Sequence, residues 1–225
     1  MIVGVLPLLL LTTSSLKSTE FKTNGILYLR NFFSPETFAS VVHESQLLRR
    51  QLKKETVSLA RNRLSVPIPP RSTLEGIFVN DDIGQRLSKI TGRDIVASSD
   101  FPAELRVYQP GAMMDWHVDE SIYEVPQIEL VYTVDNNSDS VTQWRLPDGT
   151  ILEERTEPNS LLLVQAQGPM HQVTQLRRGH RAIIKAVFAE SFVPSSEFHR
   201  LASSAQRKKT KSAGRKGSKK KYGRK

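Results

Sequence analysis

Two periodicities divide this chain near Glu104. Before it, apolar residues recur at helical spacing; after it, short apolar segments alternate residue by residue between turn signals. Ser34-Pro35-Glu36 reads as a helix start, with serine as cap and proline at the first helical position, opening an amphipathic segment from Thr37 to Glu55. A second helix is predicted from Asp81 to Thr91, capped by Asn80 and stopped by Gly92. Beyond Glu104, Ile128, Leu130, Tyr132 and Val134 share one face of a strand whose other face carries Glu129 and Asp135, so Tyr132 points inward and its hydroxyl needs a buried partner. Thr142 to Leu146 and Thr150 to Arg155 flank Pro147-Asp148-Gly149 as a β-hairpin, and Leu161 to Ala166 and Arg181 to Phe188 read as further strands. Helices first and strands afterwards define an α+β chain, a β core buttressed on one side by N-terminal helices.

The chemistry lies in His117-Val118-Asp119 and in His171. Five histidines and nine aspartates in 225 residues give about 0.2 His-x-Asp triplets by chance, so the triplet needs support from its surroundings. On a strand, period two puts His117 and Asp119 on one side, within reach of one ion. Two imidazoles and one carboxylate can hold a single Fe(II) on one face and leave the opposite face open for a co-substrate and O2. No nucleophile with an acid-base partner and no phosphate-binding glycine loop competes with this set.

Tyr108-Gln109-Pro110-Gly111, His117-x-Asp119, and His171-x-Val173 with Gly179-x-Arg181 together resemble the Fe(II)- and 2-oxoglutarate-dependent dioxygenases, particularly the prolyl 4-hydroxylase-like branch, over about Gly25 to Val193. The resemblance implies a double-stranded β-helix (jelly-roll) core with supporting N-terminal helices. It implies that His117, Asp119 and His171 are the catalytic iron ligands and that Arg181 pairs with the far carboxylate of 2-oxoglutarate. A guanidinium suits that task, because its rigid fork of donors matches a carboxylate and stays charged when buried; a structural ion pair is the other reading of Arg181. By the same resemblance Tyr132 helps Arg181 hold 2-oxoglutarate and Tyr108 stands near the co-substrate, although Tyr108 alternates with Glu104 and Arg106 on a more polar face. Ascorbate is a further candidate cofactor.

His180 is an alternative distal ligand, but ten residues beyond it stands Glu190, which would repel a dicarboxylate. His43 lies in a helix with no carboxylate two residues on and reads as a surface residue. Lys185 shares the parity of Arg181 and faces either the pocket mouth or water. The pocket wall is expected to come from loops at Arg61 to Arg71 and Met113 to Asp115, with Trp116 and Trp144 in the core or the wall.

The implied reaction is hydroxylation of a C–H bond in a protein or peptide, prolyl side chains being the leading substrate, with release of succinate and CO2. An AlkB-like nucleic-acid oxidative demethylase is the first rival; those enzymes usually carry a second arginine six residues after the first, where this chain has Val187. A non-catalytic binding module on the same fold is the second, and the complete ligand set stands against it.

Both ends depart from this pattern, giving an expected division into residues 1–20, a dioxygenase domain at 21–195, and a disordered basic tail at 196–225. Ile2 to Leu11 is an apolar run too short to span a bilayer comfortably and interrupted by Pro7; it reads as a secretory signal or anchor, placing the protein in the secretory pathway or, without that role, in the cytoplasm or nucleus. From Arg207 to Lys225 there are eleven basic residues and no acid, so residues 1–206 carry 21 basic against 23 acidic residues and the basicity belongs to the tail. Such a segment suits nucleic acid, an anionic membrane or an acidic partner. The absence of cysteine excludes disulfide stapling.

Overall fold

The alternating segments after Glu104 fold into a curled antiparallel sheet backed by helices. The computed structural model describes residues 6–55 and 59–200. Its first part holds α1 (Leu6–Asn24), β1 (Ile26–Leu29), α2 (Pro35–Leu48), β2 (Lys53–Lys54), β3 (Ala60–Pro67), α3 (Thr73–Phe78), α4 (Asp81–Thr91) and β4 (Val96–Ala97). The strands β5 (Glu104–His117), β6 (Ile128–Asn136), β7 (Thr142–Arg145), β8 (Ile151–Glu154), β9 (Ser160–Gln165), β10 (His171–Val173) and β11 (Arg181–Ala189) follow. The larger sheet runs β1-β9-β6-β11-β5, with β3 on the far side of β5; the smaller runs from β5 through β10 and β7 to β8. This is the double-stranded β-helix that the resemblance implied.

The larger sheet is covered twice, which explains why its strands are apolar on both faces. Leu105, Leu130, Tyr132, Leu163, Ile184 and Phe188 pack outward against Phe21, Val41, Phe78 and Leu87 of the helical layer. The residues between them turn inward, where Val131 packs with Leu162, Val164, Ile26 and Trp144, and where Ile183 packs with Tyr108 and Val173. Each buried leucine- or isoleucine-sized side chain is worth about 1.5–3 kcal/mol. The inward face is also where charged residues are found, and it holds the site.

Strand β5 belongs to both sheets. Its first half pairs with β11, from Glu104 opposite Lys185 to Tyr108 opposite Arg181, and its second half pairs with β10, with His117 opposite His171. The change of partner falls at Pro110-Gly111. Gly111 has φ +85° and donates its N–H to the Leu176 carbonyl at 2.7 Å, and a Cβ there would meet the Asn62 amide nitrogen at 2.9 Å. Only glycine enters that backbone region without strain.

The helix signals read from sequence largely coincide with the structure. Ser34 caps α2 and Asn80 caps α4, its Oδ1 accepting the Ile83 N–H at 2.8 Å, while Gly92 ends α4 at φ +69°. The first helix is shorter than expected: α2 stops at Leu48, and Lys53–Lys54 pairs as β2 with Ser65 and Leu64. The wall segments expected as loops are largely strand, Ala60–Pro67 forming β3 and Met113 to Asp115 lying within β5, while residues 68–71 are loop as expected. Helix α1 crosses the expected boundary at residue 20 and buries Phe21. Residues 196–200, assigned to the tail, pack on the body, with Phe198 edge-on to Phe101 at 5.7 Å and Arg200 2.9 Å from Glu120. Among the described residues no helix is long and apolar enough to cross a membrane. The remainder of the basic tail, and the first residues of the apolar run, lie outside the described residues.

Candidate functional site

His117 closes β5 and His171 opens β10, so their pairing brings the two rings to a centroid distance of 4.1 Å, tilted by 55°. Each ring is set by the same device. Nδ1 of His117 lies 2.8 Å from the carbonyl oxygen of Asp115, and Nδ1 of His171 lies 3.1 Å from that of Pro169. A carbonyl only accepts, so each Nδ1 carries the proton and each Nε2 keeps its lone pair. Asp119 stands between them, with Oδ1 3.6 Å from Nε2 of His117 and Oδ2 3.6 Å from Nε2 of His171.

Those separations are too long for hydrogen bonds, and the three ligand atoms lie within 4.8 Å of one another. Nε2 of His117 is buried without a partner, an orphaned donor atom that a cation would satisfy. Burial opposes the charged form of Asp119, yet its carboxyl is held well below the usual carboxylate range, by His117 and His171 whenever those rings are protonated and by the Lys185 ammonium. Burial holds the His171 imidazole below its ordinary value, against the pull of Asp119. An ionised carboxylate with a neutral imidazole is the protonation state a metal requires. The strand itself ends at His117 rather than running through Asp119; the exposed Val118 follows, and the Asp119 carbonyl is tied to the Gln167 N–H at 2.8 Å. Among the described residues this is the one group of three or more potential ligands gathered in this way.

Arg181, at the start of β11, is only 2 % exposed. Its Nη1 donates to Oγ1 of Thr142 at 2.8 Å, its Nε is buried without a partner, and no described carboxylate pairs with it. The structural ion pair is therefore not what holds Arg181. A buried guanidinium without a counter-ion costs several kcal/mol, and an incoming carboxylate would offset that cost. Arg181, His171 and Asp119 line one inner cavity, walled by Val131, Leu162, Val164 and Ile183.

Tyr108 lines the same cavity and stands directly opposite Arg181, whose guanidinium carbon is 5.7 Å from the ring centre. The polar face it shares with Glu104 and Arg106 is the inside of the barrel. Tyr132 is elsewhere. It is buried and hydrogen-bonded, as expected, but on the other side of the sheet, where its hydroxyl donates to Oδ1 of Asn159 at 2.9 Å and its ring packs against Phe32, Phe33 and Phe78. The cofactor-binding role expected of Tyr132 is corrected accordingly: both faces of β6 are buried, and the face with even numbers meets the helices. His180 pairs with Asp135 at 2.8 Å, and His43 is exposed on α2.

A second cavity, of about 450 Å³, opens on the outer side of His117 and Asp119. Its apolar wall includes Leu59, Phe101, Pro102, Ile122 and Val187. Lys185 and Arg106 line both cavities, Lys185 paired with Glu129 and Arg106 with Glu104 at 2.7 Å. Burial, with Arg106 nearby, pushes the Lys185 ammonium down to about 8. Lys185 thus faces the pocket.

Two residues of the site had no sequence signal. Thr142 was read only as the start of a hairpin, and its contact with Arg181 depends on how the two sheets close. Arg63 lay in a segment read as loop; on β3 it is the register partner of Tyr108 on the side away from Arg181.

No protein-family model matches the chain, and no curated protein matches it significantly. Solved structures do. The chain superimposes on a prolyl-4-hydroxylase from Pseudomonas putida with a TM-score of 0.65 and 14 % identity, over 80 % of this chain and 100 % of that one. A prolyl hydroxylase from Trichoplax adhaerens, in complex with a hypoxia inducible factor oxygen degradation domain peptide fragment, gives 0.67 and 14 % identity, over 83 % and 93 % of the two chains. HygX from Streptomyces hygroscopicus, with nickel and 2-oxoglutarate bound, gives 0.61 and 10 % identity, over 78 % and 87 %. At these identities the likeness is one of fold: the chain has the jelly-roll fold found in 2-oxoglutarate-dependent Fe(II) oxygenases, prolyl hydroxylases among them.

Proposed function

We propose that this protein is an Fe(II)- and 2-oxoglutarate-dependent dioxygenase that hydroxylates a C–H bond of a protein or peptide. One observation carries the reading. Asp119 and His171, two of a three-atom ligand set that His117 completes, line one cavity with a buried arginine that has no described carboxylate partner, the arrangement that a metal-chelating dicarboxylate fits. His117, Asp119 and His171 hold the iron, and Arg181 with Tyr108 holds the far carboxylate of 2-oxoglutarate. When bound, iron and 2-oxoglutarate supply the oxidation of an unactivated C–H bond, with succinate and CO2 as co-products. Val131, Leu162, Val164 and Ile183 keep water from the inner cavity, and the outer cavity orients the substrate beside the metal.

The peptide bound by the Trichoplax adhaerens enzyme supports a peptide substrate here. A nucleic-acid demethylase draws support from the basic tail, but Val187 contributes only an apolar surface to the outer cavity where a second arginine would stand. We place the oxygenase unit at residues 21–195, which takes in the end of α1, with residues 196–200 packed on it.

The test is anaerobic loading with Fe(II) and 2-oxoglutarate, followed by O2 and a succinate assay. Wild type releases succinate; His117→Ala and Asp119→Ala lose iron and turnover; Arg181→Ala keeps iron and binds 2-oxoglutarate poorly. Equal turnover by all three variants contradicts the assignment. Product mapping on peptides and on alkylated DNA or RNA separates the two substrate classes.

A further inference from the structure

Arg63 is buried at 5 % exposure in the wall of the inner cavity, where it touches the anchor set through Tyr108. It stands opposite Tyr108 on β3, as Arg181 does on β11, so the phenol lies between two guanidiniums, 5.5 Å from one and 5.7 Å from the other. The two cations differ in how they are held. Arg63 forms a two-pronged ion pair with Glu55, Nε to Oε1 at 2.9 Å and Nη2 to Oε2 at 2.7 Å, whereas Arg181 has no described carboxylate. The Nη1 of Arg63 donates to the Tyr108 hydroxyl at 3.0 Å and lies 3.7 Å from the sulfur of Met114.

This geometry decides what the phenol can do. A hydroxyl that accepts from Arg63 keeps its own proton to donate, and Tyr108 lines the same cavity as Arg181, whose Nε has no hydrogen-bond partner among the described residues. We propose that Arg63 is a positioning residue for the co-substrate: held rigid by Glu55, it fixes the Tyr108 hydroxyl so that its proton is presented beside Arg181 to the far carboxylate of the dicarboxylate. The inference rests on the function proposed above. Arg63 acts through Tyr108, and its own charge is matched by Glu55.

The test is calorimetric titration of 2-oxoglutarate into the full chain loaded anaerobically with Mn(II), which reads binding without turnover. Arg63→Gln and Tyr108→Phe each weaken 2-oxoglutarate by about tenfold, the effect of one well-placed hydrogen bond. The double variant binds no more weakly than either single one, because the second change removes nothing that remains. Arg63→Lys, whose ammonium can still donate to the phenol, recovers part of the loss. Mn(II) affinity stays at the wild-type value throughout, which a general structural collapse would not allow.

Losses that multiply in the double variant, or an Arg63→Gln protein that binds as tightly as wild type, overturn the proposal. Where Arg63→Gln does not fold, Glu55→Gln is read in the same cycle. It weakens binding by about threefold in the wild-type background and not at all beside Tyr108→Phe, and an equal loss in both backgrounds overturns the proposal. A wild-type protein that fails to bind 2-oxoglutarate overturns the functional reading itself and takes this inference with it.

Discussion

Arg181 and His171 open two strands that do not pair with each other, and both are pinned to β5, Arg181 across from Tyr108 and His171 across from His117. The step in β5 at Pro110-Gly111 therefore sets the spacing between Arg181 and the candidate metal ligands. Gly111→Ala adds a Cβ at positive φ and against Asn62. The expected cost is about 1–2 kcal/mol of stability, seen as a lower thermal midpoint, together with weaker binding of both metal and 2-oxoglutarate. Loss of stability alone, with both affinities intact, would separate the step from the site.

Arg181 should be costly to the empty protein. Because its charge is buried without a carboxylate among the described residues, Arg181→Met is expected to leave the apo protein at least as stable as wild type, as happens when buried charges give way to apolar groups of similar volume. The same variant should lose most of its affinity for 2-oxoglutarate while keeping its metal. Thermal melts of the apo protein and a co-substrate titration check the two halves.

Tyr132 gives the opposite signature. Its hydroxyl bonds Asn159 among phenylalanines on the helical side of β6. Tyr132→Phe should destabilise the protein by about 1 kcal/mol, measured by urea unfolding, with the affinity for 2-oxoglutarate unchanged. A tenfold loss of that affinity would return Tyr132 to the anchor.

The candidate metal ligands should make the apo protein acid-sensitive. His171 is held neutral by burial below its ordinary value of 6.5, so as pH falls below that value the unfolded chain takes up a proton that the native ring refuses, and stability is lost. Asp119, depressed in the native state despite its burial, adds a further loss as pH falls through the unfolded carboxylate range. The thermal midpoint of the metal-free protein should fall between pH 7 and about pH 5, and His171→Gln should flatten that part of the curve. A midpoint that rose on acidification would contradict the neutral assignment.

What was legible in the sequence was whatever is decided locally. Asn80 and Gly92 mark the ends of α4 because caps act within one turn, and Pro147-Asp148-Gly149 marks its hairpin for a similar reason. The clustering of His117, Asp119 and His171 was legible because strand parity puts His117 and Asp119 on one side even though the strand stops between them. Tyr132 was misplaced because alternation tells which residues share a face and not which of two buried faces is which. Arg61-Asn62-Arg63 shows no apolar alternation, and its strand is made by pairing with β5 on one side and β2 on the other; with that pairing hidden, so was the contact of Arg63 with Tyr108.

The most direct test is a crystal structure grown anaerobically with Fe(II) and 2-oxoglutarate, with anomalous scattering at the iron edge. The account predicts a single iron bonded to Nε2 of His117, Nε2 of His171 and a carboxylate oxygen of Asp119, with the far carboxylate of 2-oxoglutarate on Arg181. Iron held by any other residues, or a 2-oxoglutarate that leaves the Arg181 guanidinium without a partner, would contradict it.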